Sequence, residues 1–189
     1  MVIPLSAYLA LLGALGLERI VELRISMRNA RRAFACGAVE AGIRHYPVMV
    51  VFHTLFVFSC AGEALILRRI FPGIIGWLAL GGAALSQALR YWAVWTLGER
   101  WNTRIIVIPG AAPVASGPYR FVRHPNYLAV TMEMICIPMI YGCWLTALVF
   151  SIGNLLILRL RIKAEEAALG PGYQAAFDAV PRLIPRLRY

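Results

Sequence analysis

Residues 124–158 form a run of 35 residues in which Glu133 is the one Asp, Glu, Lys or Arg. A single helix needs about 20 apolar residues to cross a bilayer, so one span leaves an excess and two spans take about 17 residues each. Pro138 and Gly142 fall near the middle of the run, where each interrupts a helix. The segment YGCW then becomes an uncharged turn, with Tyr141 and Trp144 at the membrane boundary that aromatic residues favour. A single tilted helix with an extension is the competing reading.

The rest of the chain points the same way. It is 60% hydrophobic and 15% charged, with a mean hydropathy of +0.69, whereas soluble domains are about 45–50% apolar and about 25% charged. Three further apolar runs occur, from about Pro4 to Leu23, Pro47 to Leu67 and Phe71 to Leu97. The first lacks a basic leader and a small-residue cleavage site, so it reads as a retained span and not a signal peptide. The expectation is an all-α integral membrane protein of about five transmembrane helices. It forms one domain over residues 1–189, without repeats. Residues 98–189 hold a cytoplasmic interfacial loop, the helical hairpin and a helical tail.

The net charge of +10 falls between the apolar runs and not along one stripe, which argues against a nucleic-acid partner. With the N-terminus outside, fourteen basic residues lie in the first loop, the 98–125 loop and the tail from Arg161 on, against only Arg68 and Arg69 outside. Basic residues favour the cytoplasmic side, so the loop and tail share that side. The cysteines Cys36, Cys60, Cys136 and Cys143 form no CxxC pair and read as free thiols, with no metal site.

Four ionisable groups fall within or at the ends of the proposed spans: Glu18, Glu63, Arg90 and Glu133. Facing lipid, each would cost several kcal/mol, which favours partners inside the bundle. Arg90 has a second option, reaching the headgroups along its apolar stem.

The stretch GPYRFVRHPNY, residues 117–127, gathers polar chemistry where the loop enters the long run. Pro125 suits a first helical turn, and the N–H groups of a helix start attract anions. Arg120, Arg123 and His124 add charge and hydrogen bonding, and Tyr119 and Tyr127 add hydroxyl-bearing rings. An anion or cofactor site and a plain set of basic membrane anchors both fit. In the tail, residues 161–169 read as helix, GPG at 170–172 stops it, and a second short helix covers 173–180. Pro181 and Pro185 extend the end. Glu165 and Glu166 face different ways, and Arg161 lies four residues before Glu165, at salt-bridge spacing.

These two motifs together resemble the isoprenylcysteine carboxyl methyltransferase family. GPYRFVRHPNY carries the likeness, with RIKAEEAALGPGYQAAFDAVPRLIP at 161–185. Residues 22–53 and 97–110 are similar to a bacterial subgroup associated with type III polyketide synthases, whose members act on alkylpyrones or alkylresorcinols. The resemblance implies S-adenosylmethionine as methyl donor and a lipophilic acceptor. It implies cofactor contacts at His124, Tyr127, Tyr119, Arg123, Glu165 and Glu166, with Pro125 shaping the helix start. Arg161 and Glu165 would serve catalysis. Arg104 is a candidate on the substrate side or an interfacial anchor, and Trp101 a pocket wall or an aromatic-belt residue.

Methyl transfer aligns nucleophile, methyl and sulfur. A carboxylate acceptor is already ionised at pH 7, whereas a resorcinol hydroxyl, with a pKa of about 10, needs a base such as His124 or a glutamate. Two rival classes are a membrane reductase using a nicotinamide cofactor and a non-enzymatic lipid-binding or transport protein.

Overall fold

The computed structural model of the protein describes residues 2–184. Pro185, Arg186 and Arg188, which the sequence places in the extended basic end, lie outside them. The described chain is helical: α1 (Leu5–Ala35), α2 (His45–Ile66), α3 (Ile74–Leu97), α4 (Pro125–Met139) and α5 (Trp144–Ala176). Two three-residue strands, β1 (Val39–Ala41) and β2 (Ile105–Val107), pair antiparallel with Glu40 opposite Ile106.

The tightest helix contact is between α3 and α4. On α3 the buried residues are Gly76, Ala79, Ala83, Ser86, Arg90 and Ala93. They repeat at alternating steps of three and four, the spacing of a heptad seam. All but Arg90 are small, which lets two backbones approach closely without hydrophobic driving force. At Gly76 an added Cβ would come within 2.9 Å of the Ile140 carbonyl.

Arg90 breaks the stripe because it has partners. Its guanidinium donates two hydrogen bonds to Glu22 of α1, at 2.6 and 2.8 Å. Arg19 bonds Glu22 at 2.6 Å and lies 3.3 Å from Glu133 of α4. Arg90 is 3.7 Å from Glu133. Of the two options open to Arg90, the structure takes pairing: the side chain is buried within the bundle. Glu63 is also engaged. Its carboxylate accepts from the Thr146 N–H and hydroxyl, each at 2.7 Å, and from the Leu145 N–H. It thus caps the start of α5, where N–H groups lack helical partners.

The 124–158 run folds as a helical hairpin. α4 ends at Met139, one residue past Pro138, and Gly142 takes a positive φ of 68° in the turn. α2 and α5 are long and apolar enough to cross a membrane. α1 and α3 have the length but carry Glu18, Arg19, Glu22 and Arg90 within it, and α4 has 15 residues. α1 also continues twelve residues past the apolar run. Its last turns bury Ser26, Asn29, Ala30 and Ala33 under the loop after α3. In the tail, Gly170 has φ 75° and ψ −172°, so the helix breaks at GPG; the segment beyond ends at Ala176, before the expected Val180.

Removing Arg90 leaves Glu22 and Glu133 short of a cation in a buried site. Arg90→Ala should therefore lower stability by about 3–5 kcal/mol. Arg32→Ala, which breaks only an exposed pair with Glu99, should cost about 0–1 kcal/mol. Thermal unfolding in detergent micelles compares them, and equal losses would contradict the role given to the buried cluster.

Candidate active site

One large cavity, of about 1080 Å³, lies beneath the loop that joins α3 and α4. Its upper wall is polar: Tyr119, His124, Tyr127, Arg161, Glu165 and Tyr173. Its lower walls are apolar faces of α1 and α2, including Leu17, Ile20, Val50, Val57 and Phe58. The roof is the chain from Trp101 to Val114.

The first part of the roof is pinned. Asn29 donates to the carbonyls of Trp101 (2.9 Å) and Gly98 (3.2 Å). The Ser26 hydroxyl bonds Asn102 and Thr103, and Tyr46 reaches Thr103 at 3.2 Å. Arg104 bonds Glu40 of β1 through both Nε and a terminal nitrogen; this carboxylate raises its pKa above the ordinary arginine value. Arg104 therefore borders the cavity but spends its guanidinium on the roof. Trp101 is buried in the cavity wall, not in an aromatic belt.

The polar wall is organised around Tyr127 and His124. Their rings stack at 5.3 Å between centroids. The Tyr127 hydroxyl donates to Glu165 at 2.5 Å, and the Arg161 guanidinium lies 5.8 Å from the Tyr127 ring centre. The i,i+4 salt bridge expected between Arg161 and Glu165 does not form. Arg161 instead donates across to the Thr103 carbonyl (2.9 Å), leaving its buried Nε without a partner.

Glu165 and Glu166 do face different ways. Glu165 lines the cavity; Glu166 lies behind its wall. Glu166 accepts from His124 Nε2 at 3.2 Å and from Arg182 at 2.6 Å. Burial raises the Glu166 pKa, but the hydrogen bonds from Arg182 and His124 outweigh it and hold the carboxyl below the ordinary value. The segment before α4 is strapped by the tail. The Arg123 and His124 N–H groups donate to the carbonyls of Pro181 and Arg182, and the Arg123 side chain to Val180 at 2.7 Å. The anion-attracting donors expected at this helix start are thus partly consumed by the protein itself. Arg120 is exposed and lies over Phe121.

Tyr119, Tyr173 and Phe177 pack together with Ala93 of α3 and close the tail over the cavity. Burial pushes the phenols of Tyr119 and Tyr173 above the usual tyrosine value, so both stay neutral. Sequence reasoning missed Ser26, Asn29, Glu40, Thr103 and Arg182 as supports. The polar face of the α1 extension was the available signal for the first two.

A model of the isoprenylcysteine carboxyl methyltransferase family matches residues 77–171, about half of the chain. The chain belongs to this family. Two bacterial relatives cover more of it. The uncharacterized protein YpbQ of Bacillus subtilis is 38% identical over 160 residues, which are 84% of this chain and 94% of the relative. An uncharacterized protein of Haemophilus influenzae is 31% identical over 152 residues, 80% and 88% of the two chains. Membership of the isoprenylcysteine carboxyl methyltransferase family points to a membrane methyltransferase. The family match contains His124, Tyr127, Arg161 and Glu165, but not α1 or α2, which form the apolar half of the cavity.

The Glu166 contacts predict acid sensitivity of the tail. A carboxyl with a depressed folded pKa stabilises the native state above its unfolded pKa, and this is lost as pH falls through the folded value. Limited proteolysis of the tail should accelerate as pH falls below the ordinary glutamate value of about 4.3. Glu166→Gln should show fast cleavage already at neutral pH. A tail equally resistant in both proteins would contradict the strap.

Proposed function

We propose that the protein is an S-adenosylmethionine-dependent O-methyltransferase of the membrane, acting on a lipophilic acceptor. The observation that carries this reading is one cavity that combines a polar wall with apolar lower walls. Small-ligand pockets typically measure about 300–1,000 Å³, and about 1080 Å³ leaves room for a donor and an acceptor together.

The residues present suit the donor. Glu165 offers a carboxylate for hydroxyl or amino groups, Tyr119 and Tyr173 offer aromatic faces, and His124 and Tyr127 form a rigid stacked wall. The unpartnered Nε of Arg161 is a buried donor for a carboxylate or a developing oxyanion. When bound, the donor supplies an electrophilic methyl on a sulfonium. The protein's part is to hold the two reactants in line and to exclude water beneath the roof. Pro125 shapes the helix start. Arg123 and Glu166 act as positioning residues, holding His124 and the tail, and Arg104 holds the roof over the acceptor.

The acceptor belongs to a class with a polar head and a greasy body: an alkylpyrone, an alkylresorcinol or a prenylcysteine-like carboxylate. Modification of the first two would follow a type III polyketide synthase, a functional partner of this reading. The topology that completes it has five spans in a bacterial inner membrane, with loop and tail on the cytoplasmic side. Residues 98–189 supply the catalytic core of a single domain.

Calorimetry with S-adenosylhomocysteine should give binding that Glu165→Gln weakens about tenfold, the loss of one charge-assisted hydrogen bond. Labelled S-adenosylmethionine should transfer its methyl to a component of a lipid extract. Binding of NADPH in place of S-adenosylhomocysteine would contradict the proposal, as would the absence of labelled lipid across several extracts.

Cys36 is exposed at the end of α1, which this topology makes cytoplasmic. A membrane-impermeant maleimide should label it in inverted vesicles and spare it in spheroplasts. Labelling in spheroplasts would reverse the orientation.

A further inference from the structure

The last part of α1 carries two stripes. Its buried residues Glu22, Ser26, Asn29 and Ala33 recur at steps of four, three and four, so they share one helix face. Arg24, Arg28 and Arg31 recur at steps of four and three, and all three are exposed. At about 100° per residue, the two stripes lie about 180° apart. The buried stripe holds the roof. Asn29 donates to the Trp101 carbonyl at 2.9 Å, and the Thr103 N–H donates to the Ser26 hydroxyl at 3.0 Å. The arginine stripe faces outward.

This outward stripe is cationic and without counter-ions. Among the described residues, none pairs with the guanidinium of Arg24, Arg28 or Arg31, whereas Arg32 beside them is paired with Glu99. No Asp or Glu follows Glu22 in α1. Like charges three and four residues apart on a helix repel one another, so the stripe calls for an anion. The same face is apolar one turn earlier. Leu17 and Ile20 continue the spacing toward the start of α1, and both are exposed. One face of one helix thus changes from apolar to cationic at Arg24, with the exposed apolar Met27 and Phe34 beside the arginines.

The depth of the stripe selects the anion. Thr103 gathers three helices at one level. Its hydroxyl lies 2.9 Å from that of Ser26 on α1 and 3.2 Å from that of Tyr46 in the first turn of α2. Its carbonyl accepts from Arg161 of α5 at 2.9 Å. α2, long and apolar enough to span, starts here, and Arg161 falls just past the end of the 124–158 run. This level is therefore a boundary of the apolar zone. Arg24 lies about 3 Å on the apolar side of Ser26, and Arg28 and Arg31 lie about 3 Å and about 8 Å beyond it along the helix. The headgroup layer on each side of a bilayer is about 5–8 Å thick. All three guanidiniums thus reach the depth of lipid phosphates, whose geometry they match with paired donors.

We propose that the outward face of α1 at Arg24, Arg28 and Arg31 binds the phosphates of anionic lipids, and that lipid held there steadies the roof through Ser26 and Asn29 on the opposite face of the same helix. None of the three arginines lines the cavity, so this site stands apart from it. The acyl chains lie along Leu17 and Ile20, and the headgroup meets the arginines. Neutral lipids fill the same space but leave the three charges without a counter-ion. The roof is then held by a helix end that nothing outside the protein restrains.

The test uses the full chain in nanodiscs of phosphatidylcholine, alone or mixed with phosphatidylglycerol. Mass spectrometry of the released protein counts the lipids it retains. Phosphatidylglycerol should be favoured, and Arg24→Gln, Arg28→Gln and Arg31→Gln combined should cut that preference about tenfold or more, at about fivefold per arginine near an anionic surface. Equal unfolding temperatures in neutral discs show that this variant is folded. The same loss of charge at the exposed Arg120, Arg159 and Lys163 should leave most of the preference. Hydrogen exchange at the Thr103 amide, which Ser26 holds, should slow about fivefold in anionic discs for the wild type and not for the first variant. Equal losses in the two variants, or none in the first, overturn the site. So does equal slowing in neutral discs by inorganic phosphate or by polyglutamate, which would assign the stripe to a soluble anion or an acidic protein. Unchanged Thr103 exchange with the lipid retained overturns the link to the roof.

Discussion

The architecture depends on four charges of alternating sign held between three helices: Arg19 and Glu22 on α1, Arg90 on α3 and Glu133 on α4. Among apolar neighbours each charge alone would be expensive. Together they leave α1 one rotation and one depth at which all are paired. Small residues bring α3 and α4 together; α1 is held by these ions and by Tyr8 and Leu12, buried in the core with Tyr8 stacked on Tyr141. The cavity follows from this, because α1 supplies one of its apolar walls. The α1 extension then reaches beyond the run to Ser26 and Asn29, which hold the roof.

A second electrostatic knot, Glu166 with His124 and Arg182, does for the polar wall what the first does for the apolar one. It draws the tail back over the start of α4, where backbone groups of Arg123 and His124 meet those of Pro181 and Arg182. A charge in the middle of the tail thereby positions the stacked rings that face the cavity. The site has two halves with different physics: a polar half built from hydrogen bonds and rings, and a chamber built from helix faces. Chemistry that joins a soluble donor to a greasy acceptor needs both.

Local signals carried much of this. Hydropathy marked where the helices lie, Pro138 and Gly142 marked the hairpin turn, and GPG marked the break in the last helix. The motif at 117–127 and the acidic pair of the tail were already visible as groups that belong together. Long-range pairing was not legible. β1 and β2 are three residues each and far apart in sequence, too short for an alternation pattern. The partners of Arg90, Arg104 and Arg161 depend on which helices are neighbours, and no spacing rule supplies that. The Arg161–Glu165 expectation failed for this reason: a helix-local rule lost to a carbonyl from the roof.

The central claim is that this cavity passes a methyl group to a membrane-soluble molecule. Mass spectrometry of lipids from cells that contain the protein and cells that lack it reads this directly. The account predicts a lipid species one methyl heavier in the first cells, with its unmethylated precursor accumulating in the second. Identical lipid profiles in the two, with the protein present in the membrane of the first, would contradict it.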